Sequence, residues 1–138
     1  MKASHAGVVK VFVPSDSAAR AVGADEVALA IQAEAARRGI ALETVRNGSR
    51  GLFWLEPLLE LQTQGLGGTS TPPGRVGFGP VTAEDVPSLF EAGALDLLRA
   101  AAARHPLALG VVEELSYLKR QQRLTFARMG LTDPLSLA

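Results

Sequence analysis

The first 45 residues place the tightest limit on what this chain can fold into. Val8-Val9-Lys10-Val11-Phe12-Val13 is rich in β-branched residues and stops at Pro14, which reads as a buried strand. Asp16 and Ser17 supply side chains suited to capping a helix. From Ala24 onward, apolar residues fall at Val27, Ala28, Ile31 and Ala35, the spacing of one helix face. Glu26, Gln32, Glu34, Arg37 and Arg38 cover much of the opposite side. Gly39 follows, and glycine ends a helix in the left-handed conformation without a Cβ penalty. Residues 40–45 are again extended. A strand, a helix and a strand in this order predict a right-handed βαβ unit with parallel strands.

The rest of the chain adds a second layer of pattern. Arg46-Asn47-Gly48-Ser49-Arg50-Gly51 reads as a loop, with Asn-Gly marking a sharp turn. Residues 57–62 and 76–81 are strand candidates, joined by a stretch at 64–75 with four glycines and two prolines. They suit an antiparallel hairpin with a long loop. Thr82 is placed to cap the next helix, and Glu84 and Asp85 suit its positive end. Val86, Leu89 and Phe90 form its apolar face, Gly93 breaks it, and residues 94–103 read as another short helix. The expected layout is βαβ, then ββ, then α, over residues 1–105. Residues 106–138 read as a linker extension. Within it, 106–112 is short and apolar, 113–122 suits a helix with Leu115 and Leu118 inward, and 124–126 is extended. Gly130, Asp133 and Pro134 end the pattern.

Composition removes several kinds of chemistry. The chain has 138 residues, 47% apolar and 20% charged, which is the composition of one globular domain. Lys+Arg and Asp+Glu are both 14, so it lacks the basic footprint of a nucleic-acid binder. The absence of cysteine excludes a disulfide framework, a cysteine nucleophile and thiolate-ligated metal or iron–sulfur centres. His5 and His105 are far apart and share no ligand spacing, so no histidine metal site is expected. Every apolar run is broken well short of the about 18 residues of a membrane span, and the first run reads as a strand, not a signal peptide. A cytoplasmic location follows as the expectation.

No short motif carries a reaction. Gly65-Leu66-Gly67-Gly68 lacks the Lys-Ser/Thr of a phosphate loop, and Gly77-Phe78-Gly79-Pro80 lacks the third glycine of a dinucleotide fingerprint. Glu113 and Glu114 are adjacent and do not share a helix face, which suits solvated positions. Ser17, Ser49 and Ser70 have no nucleophile signature, and His105 before Pro106 reads as structural or exposed. Lys119, Arg120, Arg123 and Arg128 form a basic segment, either a solvated face or a contact for an acidic partner. The loop at 46–51 has glycine amides and two guanidinium groups that suit an anion; the alternative is a plain turn with exposed arginines.

Three stretches taken in order resemble one family. Residues 46–61, then Gly79-Pro80-Val81-Thr82-Ala83-Glu84-Asp85-Val86, then Leu118-Lys119-Arg120-Gln121 with Leu124-Thr125-Phe126-Ala127-Arg128 are similar to the start of the beta (flavoprotein) subunit of soluble NAD-dependent formate dehydrogenase. Related subunits occur in NAD-reducing hydrogenases and in the NADH-oxidising arm of complex I. The resemblance implies an α/β, thioredoxin-like, ferredoxin-type βαβ-ββ-α sandwich. In cluster-bearing relatives one cysteine pair follows the first strand and a second follows the second strand before an Ala-Pro. Matching Glu56-Pro57 to that Ala-Pro and Gly23 to the helix glycine puts Pro14, Ala19, Ser49 and Phe53 at the four ligand positions. None of the four ligates iron, so the resemblance implies a fold like a two-iron ferredoxin without its cluster.

The family's FMN and NADH sites belong to a following domain, and Asp133-Pro134-Leu135-Ser136-Leu137 is similar to the approach to it. The chain therefore resembles the N-terminal part of a longer subunit that passes electrons from formate through Fe-S centres and FMN to NAD. By that resemblance the part itself holds no cofactor, metal or catalytic residue. Its implied role is docking on the flavin/NADH domain of the same subunit and on other dehydrogenase subunits, with no nucleic acid and no membrane. The expected interface is Arg46, Ser49, Arg50 and Phe53, with Lys119, Arg120 and Arg123, and a homodimer through the C-terminal stretch is a further expectation. A stand-alone thioredoxin-like binding module without redox activity is the alternative. A small enzyme has no convergent set of titratable residues to support it.

Overall fold

The computed structural model describes residues 9–62, 75–93, 105–122, 130, 131, 133 and 135. Strand β1 (Val9–Pro14) pairs in parallel with β2 (Leu42–Asn47), Val9 opposite Leu42 and Pro14 opposite Asn47. Between them lie a short helix α1 (Ser17–Ala21) and the long helix α2 (Ala24–Arg38). The βαβ unit is therefore present, with each strand ending later than its sequence pattern suggests. Pro14 closes β1, and Arg46 and Asn47 belong to β2, not to a loop. Helix α1 is an addition: Asp16 occupies its N-cap position without a side-chain cap hydrogen bond, and Gly23, at φ 102°, separates it from α2. Gly39 ends α2 at φ 67°, as its position predicts.

After a 3-10 turn (Phe53–Leu55), β3 (Leu59–Gln62) joins the other side of β1 antiparallel. It pairs with β4 (Arg75–Phe78), which is the expected antiparallel hairpin. Residues 64–74 of its loop, the expected helix at 94–103, and the stretch 124–126 lie outside the described residues. A 3-10 turn (Ala83–Asp85) leads into α3 (Val86–Glu91). The Thr82 N–H and hydroxyl both donate to one Asp85 carboxylate oxygen at 2.8 Å, and the Asp85 N–H returns to the Thr82 carbonyl. That capping box starts the helix where the sequence places it.

The sheet has a fifth strand, β5 (Ala108–Val111), which gives the order β2-β1-β3-β4-β5. It continues the sheet beyond the boundary expected at residue 105, so the stretch from 106 begins inside the domain and not as a linker. Four residues with a left-handed Gly110 and a register shift at Gly77/Phe78 are too short and irregular to show a strand period. A 3-10 turn (Val112–Glu114) and a short helix α4 (Ser116–Lys119) follow, in place of one helix over 113–122. Among the described residues no helix is long and apolar enough to cross a membrane.

Alternation along the strands gives the sheet two different faces. Val11, Val13, Leu59, Leu61 and Phe78 meet Val27, Ala28, Ile31 and Ala35 of α2 and Val86, Leu89 and Phe90 of α3 in one apolar core. The opposite face carries Phe12, Asn47, Glu60, Arg75 and Gly77, by register. At Gly77 a Cβ would lie 2.7 Å from Val112 Cγ2, so the 3-10 turn after β5 packs where a side chain would stand. Gly77→Ala is expected to cost about 1–3 kcal/mol in chemical denaturation, the usual cost of overpacking. The same substitution in a Val112→Ala background should cost clearly less, because the clash is between these two side chains.

Candidate functional site

Strand β3 places a carboxylate in the interior. Leu59 and Leu61 point into the helix core, so Glu60 points into the other face, where it is 1% exposed. Arg50 grips it with two bonds, Nε to Oε2 at 3.1 Å and Nη2 to Oε1 at 2.7 Å. Such a fork is the strongest common form of charge-assisted hydrogen bond. Arg75 Nη1 lies 3.7 Å from Glu60 Oε1, and its guanidinium sits 3.5 Å over the Phe12 ring. Burial pulls the Arg75 guanidinium below its ordinary value, with Glu60 acting against that shift. Asn47 Nδ2 reaches Glu60 Oε2 at 3.4 Å. From the turn after β5, Glu113 accepts from Arg50 Nη2 at 3.4 Å and from the Arg75 backbone N–H at 3.3 Å. Two guanidinium groups thus balance two carboxylates, Glu60 buried and Glu113 at the exposed rim, where its side chain is 45% exposed.

A second carboxylate lies beside it. Glu56 is 5% exposed and accepts the Ser49 hydroxyl at 2.7 Å and the Leu58 N–H at 2.9 Å. Burial raises its carboxyl above the ordinary value; the two hydrogen bonds oppose this, and the charges of Asp16 and Glu60 add to it. The Ser49 oxygen also accepts the Gly51 N–H at 3.0 Å, and the side chain is 9% exposed. It is a buried link in the loop and not a nucleophile open to substrate.

The two loop arginines do not form an anion cradle, and they are not exposed. Register separates them. Arg46 is opposite Val13, on the helix side, where it donates to Asp25 at 2.6 Å and to the carbonyls of Pro14 and Val13. Arg46, with Arg20 second, holds the Asp25 carboxyl below its ordinary value. Arg50 is on the other side, 8% exposed and committed to Glu60. The sharp turn is at Gly51, with φ 84°, and not at Asn47-Gly48.

The four positions matched to cluster ligands are spread over different environments. Pro14 ends β1, Ala19 is fully buried in α1, Ser49 is bonded to Glu56, and Phe53 is 63% exposed. Next to Phe53, Trp54 is 61% exposed and meets the exposed Tyr117 of α4 edge to face, with ring centres 5.2 Å apart. Lys119 pairs with Glu114 at 2.8 Å, Arg120 is exposed, and Arg123 and Arg128 lie outside the described residues. His105 is structural, as expected: its Nδ1 accepts the Leu107 N–H at 3.1 Å. Its Nε2 therefore donates to Ser88 Oγ at 2.9 Å, and Ser88 donates to the Asp85 carbonyl. Among the described residues no group of three or more His, Cys, Asp or Glu side chains is placed to hold a metal ion.

Sequence reasoning gave Glu60, Arg75, Trp54 and Tyr117 no role, and it read Asn47 only as a turn residue and Glu56 only as an alignment anchor. Glu60 between Leu59 and Leu61 looks like a solvent-facing position of a half-buried strand. Trp54 beside Phe53 was the readable signal, since a glycine-bounded loop has no core of its own for two large rings. No protein-family model and no curated protein matches the chain.

Two measurements check the polar centre. Arg50→Met should destabilise the fold by about 3–5 kcal/mol, because it strips the main partner from a buried carboxylate. Arg50→Met with Glu60→Leu should cost well under the sum of the two single changes. For Glu56 the raised folded-state value means that the native protein keeps this proton at pH values where the unfolded chain has lost it. Its contribution is fully present below the ordinary value of 4.5 and is lost as pH rises through the folded value. The stability of the wild type minus that of Glu56→Gln should therefore fall as pH rises above the ordinary value of 4.5; a difference independent of pH would contradict the burial effect.

Proposed function

We propose that the chain is a non-catalytic, thioredoxin-like docking domain of the kind that begins the flavoprotein subunit of soluble NAD-dependent formate dehydrogenase. The observation that carries this reading is the exposed aromatic face of Phe53, Trp54 and Tyr117. Phe53 and Trp54 stand on the loop between β2 and β3, where cluster-bearing relatives carry two of their ligands, and Tyr117 joins them from α4. The sheet supports the thioredoxin-like class: β2-β1-β3-β4, with the first pair parallel, the others antiparallel, α2 between the parallel strands and α3 after the hairpin. Strand β5 is an edge addition.

The reading moves the contact from charge to aromatic surface. Ser49 and Arg50 are buried and Arg46 is half-buried against Asp25, whereas Phe53, Trp54 and Tyr117 are exposed. Trp54 is held edge to face by Tyr117, and exposed aromatic rings supply large contact area at little entropic cost and dominate protein interfaces. The partners are the flavin/NADH domain of the same subunit and the neighbouring dehydrogenase subunits, in the cytoplasm. The parent enzyme passes electrons from formate through Fe-S centres and FMN to NAD, and this domain serves it by fixing the spacing of centres that other domains carry.

The test is calorimetric titration of the chain into the flavin-binding part of a soluble NAD-dependent formate dehydrogenase. Trp54→Ala and Phe53→Ala should each weaken binding by about tenfold or more, since a truncated interface anchor costs about 2 kcal/mol or more. Both positions are exposed, so the variants should keep the thermal stability of the wild type. Absence of binding, or binding indifferent to both substitutions, would turn the assignment toward a stand-alone module with another partner.

A further inference from the structure

Two adjacent main-chain carbonyls near the C-terminus are seated on the buried polar centre. Asn47 Nδ2 donates to the Gly130 carbonyl at 2.7 Å, and Arg75 Nη1 donates to the same oxygen at 2.6 Å. Arg75 Nη2 donates to the Leu131 carbonyl at 2.7 Å. Asn47 is fully buried, and Gly130 is buried with it. Gly130 has φ +83°, and a Cβ there would lie 2.5 Å from Arg50 Cγ and 3.2 Å from Arg50 Nε. The site therefore has three elements: two donors aimed at successive carbonyls, a floor made by the Arg50 stem, and a fit that accepts only glycine at its centre.

We infer that Asn47, Arg50 and Arg75 form a carbonyl-reading cleft whose occupant is the chain's own Gly130–Leu131 segment, held as a strap across the sheet face opposite the helices. Glu60 makes this possible, because it lets two guanidinium groups sit together in the interior while Arg75 still turns both outer nitrogens to the strap. Recognition is of backbone and not of side chains, so it depends on glycine at 130 and little else. The strap ties the end of the described chain to β2 and β4 and so fixes where the chain leaves the sheet. This inference stands apart from the docking assignment, since it needs neither a partner nor a dehydrogenase.

Hydrogen exchange on the full chain, read by mass spectrometry, tests it. Gly130→Ala should speed exchange in peptides covering 130–135 by about tenfold or more, because losing the charged donors on its carbonyls lets the segment open locally and brings its N–H groups to water. Peptides from β1 and β3 should keep their protection. Arg75→Lys retains the positive charge beside Glu60 but cannot bridge two carbonyls, and it should act in the same direction. Leu135→Ala, at a position 86% exposed, should change nothing. Unchanged exchange at 130–135 in both variants overturns the inference, as does equal acceleration in β1 and β3 in both. Protection that grows with protein concentration also overturns it, because the strap would then belong to a second copy.

Discussion

The second face of this sheet depends on one carboxylate. An ionised group taken out of water carries a cost of several kcal/mol, and only good geometry with full hydrogen bonding offsets it. Glu60 has both, through the Arg50 fork, Arg75 and Asn47. Those same partners reach outward in three directions. Arg50 and the Arg75 backbone meet Glu113 in the turn after β5, Arg75 covers Phe12 on β1, and Arg75 with Asn47 meets the carbonyls of Gly130 and Leu131. Hydrophobic burial holds α2 and α3 on one side of the sheet. On the other side, parts of the chain more than fifty residues apart are held by a balanced set of charges. Charge pairing is directional, so this side specifies register where an apolar layer would tolerate sliding.

Much of the first side is legible in the sequence. Val27, Ala28, Ile31 and Ala35 keep a helical period, Gly39 ends it, and Thr82 with Asp85 begins the next helical segment. These are local rules, and neighbours a few residues away decide them. The second side is not legible for a matching reason. Nothing near Glu60 in the sequence says that Arg50, ten residues earlier, and Arg75, fifteen later, turn back to meet it. A charge in an alternating strand reads as solvent-facing, and here the solvent has been replaced by other parts of the chain.

The fate of Arg46 and Arg50 shows how one register decides a site. They share a short stretch that looks like a single cationic loop. Because β2 runs on to Asn47, Arg46 is a strand residue paired with Val13, and its side chain goes to the helix side and Asp25. Arg50 comes after the strand and goes to the other side and Glu60. An end to β2 before Arg46 would have left both in one loop and made the anion reading plausible. The extra two residues of pairing separate them and leave each neutralised internally. The loop then has no charge to offer, and what it presents to solvent is Phe53 and Trp54.

That division of labour bears on how such a domain can be used. A loop that presents aromatic rings needs a stiff base, since rings on a loose loop would fold back on the domain's own apolar surface. Here the base is Ser49 bonded to Glu56 and Arg50 bonded to Glu60, at both sides of the turn that carries Phe53 and Trp54. Tyr117 braces Trp54 from α4, and α4 follows directly on the turn that holds Glu113. The polar centre and the aromatic face are thus two ends of one arrangement. Ion pairs that are inward and satisfied hold the backbone, and the backbone holds the rings outward. On the proposed docking reading the surface is preorganised, so a partner would meet it without first ordering the loop.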